Sequence, residues 1–246
     1  MIALEVCVDD PAGIAAAVDG GADRLELCAA LGLGGLSPSA GLIALAARCG
    51  RPVMAMIRPR AGDFVWSAEE RDAMLAEIAA VRDAGLSGVV MGASLPDGRL
   101  DPVTLASLAE AARGLDITLH RAIDLTPDPA EALALCQALG IRRVLSSGGA
   151  RSAAQGLDRL AMMQAAAPEM TVMPGGGVSV ATLPLLASRL TLTEVHASCS
   201  LPAPPPSHPG VADFGFQPPG ARTTDRDTVA ALRRALDQLE AFSTRG

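Results

Sequence analysis

The chain has 246 residues, half of them apolar, and a formal net charge of −7. That length suits one β/α barrel with a full core, and the composition excludes disorder. The acidic balance excludes nucleic acid as a partner, because there is no basic surplus to neutralise phosphates. All twenty cations are Arg, with no Lys and no Tyr, so Schiff-base and phenolic acid–base chemistry are excluded.

Strand and helix patterns alternate along the whole length. Alternation of apolar and ionisable residues marks strands at 4–8 and 25–28. A short helix at 11–18 lies between them, closed by Gly20 and Gly21. A glycine-bearing loop at 31–37 leads to a helix at about 39–48. A strand follows at 53–57. Ser67 and Glu70 form a capping box that opens a helix running to 84. The strand at 88–91 precedes a helix that Asp101 and Pro102 start as N-cap and N1. The strand at 116–120 precedes one that Asp128, Pro129 and Glu131 start in the same way. Strands at 143–146, 171–173 and 194–197 alternate with helices at 157–166 and 180–190, and a last helix covers 225–242. Eight parallel strand–helix units with no surplus strand predict an α/β fold: one TIM-type (β/α)8 barrel domain over 1–246. No dinucleotide fingerprint follows the first strand, and no organic cofactor is expected. A Pro/Gly-rich stretch at about 201–222 before the last helix reads either as a lid or as a surface loop. The N-terminus enters a strand at once, without a targeting segment, and no apolar run is long enough to cross a bilayer. Five Cys without CxxC spacing fit a reducing compartment, so the expected location is the cytoplasm.

Barrel active sites sit at the C-terminal strand ends. Parity places Glu5, Cys7, Glu26, Cys28, Arg58, His120 and His196 on the inward face. Glu5 and Glu26 are expected at matching heights on adjacent strands, with Arg58 as the cation between them. That trio reads as an acid/base pair held by Arg, or equally as a structural ion network. Cys7 and Cys28 share an offset from their Glu neighbours, so their sulfurs could approach, and two thiolates favour Cu(I). Packing as small apolar residues is the alternative. Chelation by His196 with Cys199 would need a turn between them. His120 is the candidate general acid or base, because histidine titrates near neutrality. Arg60, Asp63 and Arg121 flank the mouth and suit an anionic substrate or mutual salt bridging. Ser147, Gly148, Gly175, Gly176 and Gly177 lie in loops whose bare amides could cradle a phosphate. His196 ends the last strand beside them.

Several segments together resemble one family. Leu4-Glu5-Val6-Cys7-Val8-Asp9, the run from Gly20 through Cys28, and Met56-Ile57-Arg58-Pro59-Arg60 resemble the CutC family of copper homeostasis proteins. So do Gly62-Asp63-Phe64, His120-Arg121-Ala122, Ser147-Gly148-Gly149, Pro174-Gly175-Gly176-Gly177 and Glu194-Val195-His196. The resemblance runs from about 3 to 198 and leaves the tail uncovered. Ala61 and Ile123 depart from the usual Gly and Phe. The resemblance implies a TIM-type barrel, a cytoplasmic homo-oligomer (dimer or tetramer) and copper handling, with Cu(I) on Cys7 and Cys28. The convergence of Arg58, Asp63, His120 and the glycine loops sustains an alternative: a metal-independent barrel enzyme acting on a small anionic or phosphorylated metabolite.

Overall fold

The computed structural model describes residues 1–243, with side chains through residue 241. Eight parallel strands form the ring: β1 (Ala3–Val8), β2 (Arg24–Leu27), β3 (Val53–Met56), β4 (Gly88–Met91), β5 (Asp116–Leu119), β6 (Arg143–Ser146), β7 (Thr171–Pro174) and β8 (Glu194–Ala197). They pair in sequence from β1 to β7, and β8 closes onto β1. β7 and β8 lie side by side and complete the ring. The result is a nearly closed (β/α)8 barrel.

Local chemistry sets the helix starts. Asp10 caps α1 (Pro11–Asp19), accepting the Gly13 amide. Ser39 caps α2 (Ala40–Ala46). Ser67 and Glu70 close the expected capping box of α3 (Ala68–Asp83). Asp101 and Asp128 cap α4 (Pro102–Ala111) and α5 (Pro129–Ala138), each with Pro at the first helical position. The ring continues with α6 (Leu157–Ala166) and α7 (Leu183–Ala187). The last is much shorter than 180–190, because Ser179 and Thr182 turn the chain with their own hydroxyl bonds before Pro184.

The 201–222 stretch is tied at its base by an antiparallel ribbon, β9 (Ser200–Pro202) with β10 (Arg222–Thr224). It carries a single helical turn, α8 (Gly210–Asp213), before α9 (Arg226–Ser243). β10 packs beside α1, in the outer helix layer.

Outward strand residues such as Leu4, Val6, Leu25, Leu27, Val53 and Ala55 join the helices in the main apolar core. The inward set is different in kind. Strand tilt in an eight-stranded ring stacks inward side chains in layers drawn from alternate strands. The registers define those layers. Lowest, at the N-terminal strand ends, are Arg24, Gly88, Arg143 and Glu194. Above them come Glu5, Met54, Thr118 and Met173. Next come Glu26, Val90, Leu145 and His196, and then Cys7, Met56, His120 and Gly175. Cys28 packs with Met54, Met56 and Val90 in a second apolar cluster inside the ring.

Candidate functional site

The same stagger decides which charged groups meet. Glu5 stands opposite Arg24 on one side and His196 on the other, while Glu26 stands opposite Cys7. Glu5 and Glu26 therefore occupy successive layers, not the matching heights expected from their sequence offsets. The cation on Glu5 is Arg24, whose Nε donates to Oε2 at 2.5 Å. It is not Arg58. The Arg58 guanidinium donates instead to the carbonyls of Leu33, Gly35 and Gly62, and it pins two loops at the barrel mouth.

Arg24 also pairs with Glu194. Arg143 Nε donates to Glu194 at 2.7 Å and its Nη1 to Asp116 at 2.7 Å. These ion pairs floor the barrel and hold Glu5 from below. Burial alone would raise the Glu5 carboxyl, but the His196 hydrogen bond and the Arg24 charge bring it down to about 2. Its other oxygen meets His196 Nδ1 at 2.8 Å, and His196 Nε2 lies 3.8 Å from Glu26 Oε2. Burial would depress the imidazole, yet Glu26, Cys7 and Glu5 around it hold its pKa well above the usual histidine range. Glu26 is pushed up, chiefly by burial. It accepts from Cys28 Sγ at 3.5 Å through Oε2, while its Oε1 is buried with no partner.

One donor atom each from Cys7, Glu26 and His196 lie within 4.8 Å of one another. All three residues are buried. All five cysteines are free. Cys28 is displaced one layer from Cys7, and burial followed by the Glu26 charge raises its thiol well above the usual value. Cys199 does sit at a turn, with φ +44°, but its side chain joins the outer core, so it forms no pair with His196.

The remaining candidates divide between mouth and scaffold. His120 fits over Gly92 so closely that a Cβ there would fall 2.3 Å from its Cε1. Phe64 covers the ring at 4.5 Å between centroids, and the Arg58 guanidinium carbon lies 5.2 Å from the Phe64 centroid. Burial, then the Arg58 charge, lowers His120 to about 3, so it is neutral at physiological pH instead of titrating there. Nδ1 accepts the Ala122 amide, which leaves the proton on Nε2; that buried atom has no partner. Arg60 bonds Glu70 at 2.5 Å and Asp63 at 3.0 Å and lies over Trp66. Arg60 and Asp63 thus brace their own loop.

Asp124, which the sequence pattern did not single out, fills the loop after β6. Its carboxylate accepts from Ser146 Oγ at 2.6 Å, from the amides of Ser147 and Gly149, and from Arg121 Nε at 2.7 Å. The place where Ser147 and Gly148 would help cradle a phosphate already holds an internal carboxylate, and Arg121 is bound to it. Gly175 is required by packing: a Cβ there would lie 2.4 Å from Leu145 Cδ1 and 3.4 Å from His196 Cβ. Gly176 and Gly177 adopt φ of +85° and +77°. Among the described residues, no chain acceptor takes their amides.

A model of the CutC family matches residues 2–201. A relative from Rhizobium meliloti, named as a family protein CutC, is 51% identical over 237 residues, covering 96% of each chain. A crystal structure of a CutC protein from Streptococcus agalactiae, described as a candidate for copper homeostasis, superposes with a TM-score of 0.77 at 26% identity. It covers 80% of this chain and 99% of that one. Phosphoribosyl anthranilate isomerase from Thermococcus kodakaraensis, at 15% identity and a TM-score of 0.57 over 96% of this chain and 99% of that one, shares the fold alone.

Proposed function

The chain belongs to the CutC family of copper homeostasis proteins, and from that premise we propose that it binds Cu(I) through cysteines inside the barrel mouth. The carrying observation is a lumen lined by sulfur. Cys7 faces His196 and Glu26, and Cys28 packs against the thioethers of Met54 and Met56. Thiolate and thioether sulfur are the donors that Cu(I) prefers. In this reading Cys7 and Cys28 are the ligands. His196 stays bonded to Glu5, and the floor of Arg24, Glu194 and Arg143 fixes the strands that carry the ligands. The free thiols support a cytoplasmic location. Among the described residues no helix is long and apolar enough to cross a membrane. Phe214 and Phe216, 74% and 78% exposed on the 201–222 loop, support a homo-oligomer, dimer or tetramer.

The test is an anaerobic Cu(I) titration against a competing chelator, on the wild type and on Cys7→Ser and Cys28→Ser. Stoichiometric binding lost in both variants supports the proposal, and binding indifferent to both overturns it.

A second reading has its own observation. His120 Nε2–H and Arg58 Nε are buried donors without partners. They suit a small anionic ligand at the mouth, with Glu26 as a nearby acid or base and the Gly176 and Gly177 amides beyond. Saturable binding of inorganic phosphate, lost in His120→Ala, would favour this enzyme reading.

A further inference from the structure

We infer that Cys7, Glu26 and His196 form a second metal site, one for a divalent borderline ion of the zinc type, with one coordination position left open. It shares Cys7 with the copper reading, so the two ions compete for that thiolate, and Glu26 and His196 distinguish it.

The donor set is the first argument. A thiolate, an imidazole and a carboxylate are the ligand types of Zn²⁺, whereas Cu(I) has little use for a carboxylate. Three protein ligands around a tetrahedral ion leave the fourth position for water or a ligand oxygen.

Geometry is the second. Ordinary Zn–N and Zn–O lengths at a tetrahedral angle put the N and O ligand atoms about 3.3 Å apart. His196 Nε2 and Glu26 Oε2 already lie 3.8 Å apart, and all three donors lie within 4.8 Å of one another. Small side-chain adjustments complete the set.

The support around the ligands is the third. Glu5 takes His196 Nδ1 at 2.8 Å, which turns Nε2 toward Glu26 and Cys7. Arg24 fixes Glu5 in turn. A carboxylate behind the ligating histidine is the recurring outer support of metal sites.

The fourth argument is the orphan oxygen. Glu26 is 97% buried, being 3% exposed, and its Oε1 has no partner. A buried carboxylate oxygen without a donor is unfavourable, and an ion held by the carboxylate through both oxygens, or through Oε1 after the group rotates, removes that deficit. Cys7 and His196 keep 7% and 8% exposure, a narrow contact with solvent by which an ion can enter. On coordination, the Cys7 thiol proton and the His196 Nε2 proton leave to solvent.

The experiment titrates Zn²⁺ against a chromophoric chelator under reducing conditions, with Co²⁺ as a spectroscopic substitute. The wild type is expected to bind one ion, and the Co²⁺ form to show a thiolate charge-transfer band together with intense visible bands of a tetrahedral centre. Glu26→Gln keeps the volume of the side chain and should weaken Zn²⁺ at least about tenfold, and Glu5→Gln by roughly 10–100-fold. Cys28→Ser keeps a hydroxyl that can donate to Glu26 Oε2 in place of the thiol, and should retain Zn²⁺ with affinity within about tenfold of wild type. The same variants titrated with Cu(I) separate the two proposals: Glu26→Gln should retain Cu(I) and Cys28→Ser should lose it. No Zn²⁺ binding by the folded wild type, unaltered affinity in Glu26→Gln, or loss of Zn²⁺ in Cys28→Ser overturns this site, whatever the copper result. A Co²⁺ spectrum without the charge-transfer band overturns it as well.

Discussion

Replacing Glu5 by Gln removes the negative centre on which Arg24 and His196 both converge. The Glu5 carboxyl lies at about 2 in the fold, against 4.5 for an unperturbed Glu. At about 1.4 kcal/mol per pH unit, that gap corresponds to about 3 kcal/mol of stability. Because the folded value is depressed, this stabilisation is fully present above pH 4.5. It is lost as pH falls through the folded value near 2. His196 is displaced in the opposite direction, so below pH ~5 it is protonated in both folded and unfolded chains and adds no slope. Urea unfolding of wild type and Glu5→Gln from pH 3 to 6 reads the effect. The stability difference should close by up to about 1.4 kcal/mol per pH unit as pH falls below ~4.5. A difference that stays constant down to pH 3 would refute the ion-network account and leave Glu5 with a packing role only.

Other outcomes follow from the same geometry. His120 should stay neutral, as the Nε2–H tautomer, throughout pH 5–9 in ¹⁵N NMR spectra, since its pKa is about 3; a midpoint near 6.5 would contradict the burial described. Gly92→Ala should destabilise by about 1–3 kcal/mol in thermal unfolding, because the new Cβ meets the His120 ring, and an unchanged Tm would show that the ring has room to move. Arg24→Met leaves Glu5 and Glu194 without their shared cation and should cost about 3–5 kcal/mol; denaturant midpoints equal to wild type would remove Arg24 from the floor. Asp124→Asn should loosen the loop after β6, with faster amide exchange at Ser147 and Gly149, whereas unaltered exchange there would mean that the carboxylate is dispensable.

Much of the architecture was legible because it depends on local rules. Period-two alternation separates Leu4, Val6, Leu25 and Leu27 from Glu5, Cys7, Glu26 and Cys28. The cap residues Ser67, Asp101 and Asp128 mark helix starts to within a residue. Parity also found the inward faces of His120 and His196. It could not give the stagger between strands, which is a property of ring closure and not of any one segment. A register shift of two residues moved Glu5 from Glu26 to Arg24 and set Cys7 against Glu26. Arg24 was in reach of the sequence, since it shares its parity with Glu26, but it lies at the N-terminal strand end, away from the mouth. Asp124 left no periodic trace. It sits in the 3-10 turn Arg121–Leu125, and only the folded loop reveals that its carboxylate collects the amides after β6. The displacement of Arg58 has the same origin: its acceptors are loop carbonyls, which have no sequence signature.

The central claim is that sulfur inside the barrel holds copper. The most direct measurement is copper K-edge X-ray absorption on the anaerobic Cu(I)-loaded protein, with Cys28→Ser alongside. The expected result is a Cu(I) edge with a first shell of two sulfur neighbours in the wild type, and no bound copper left in the variant after desalting. A first shell of nitrogen and oxygen alone, or one that is the same in both proteins, would contradict it.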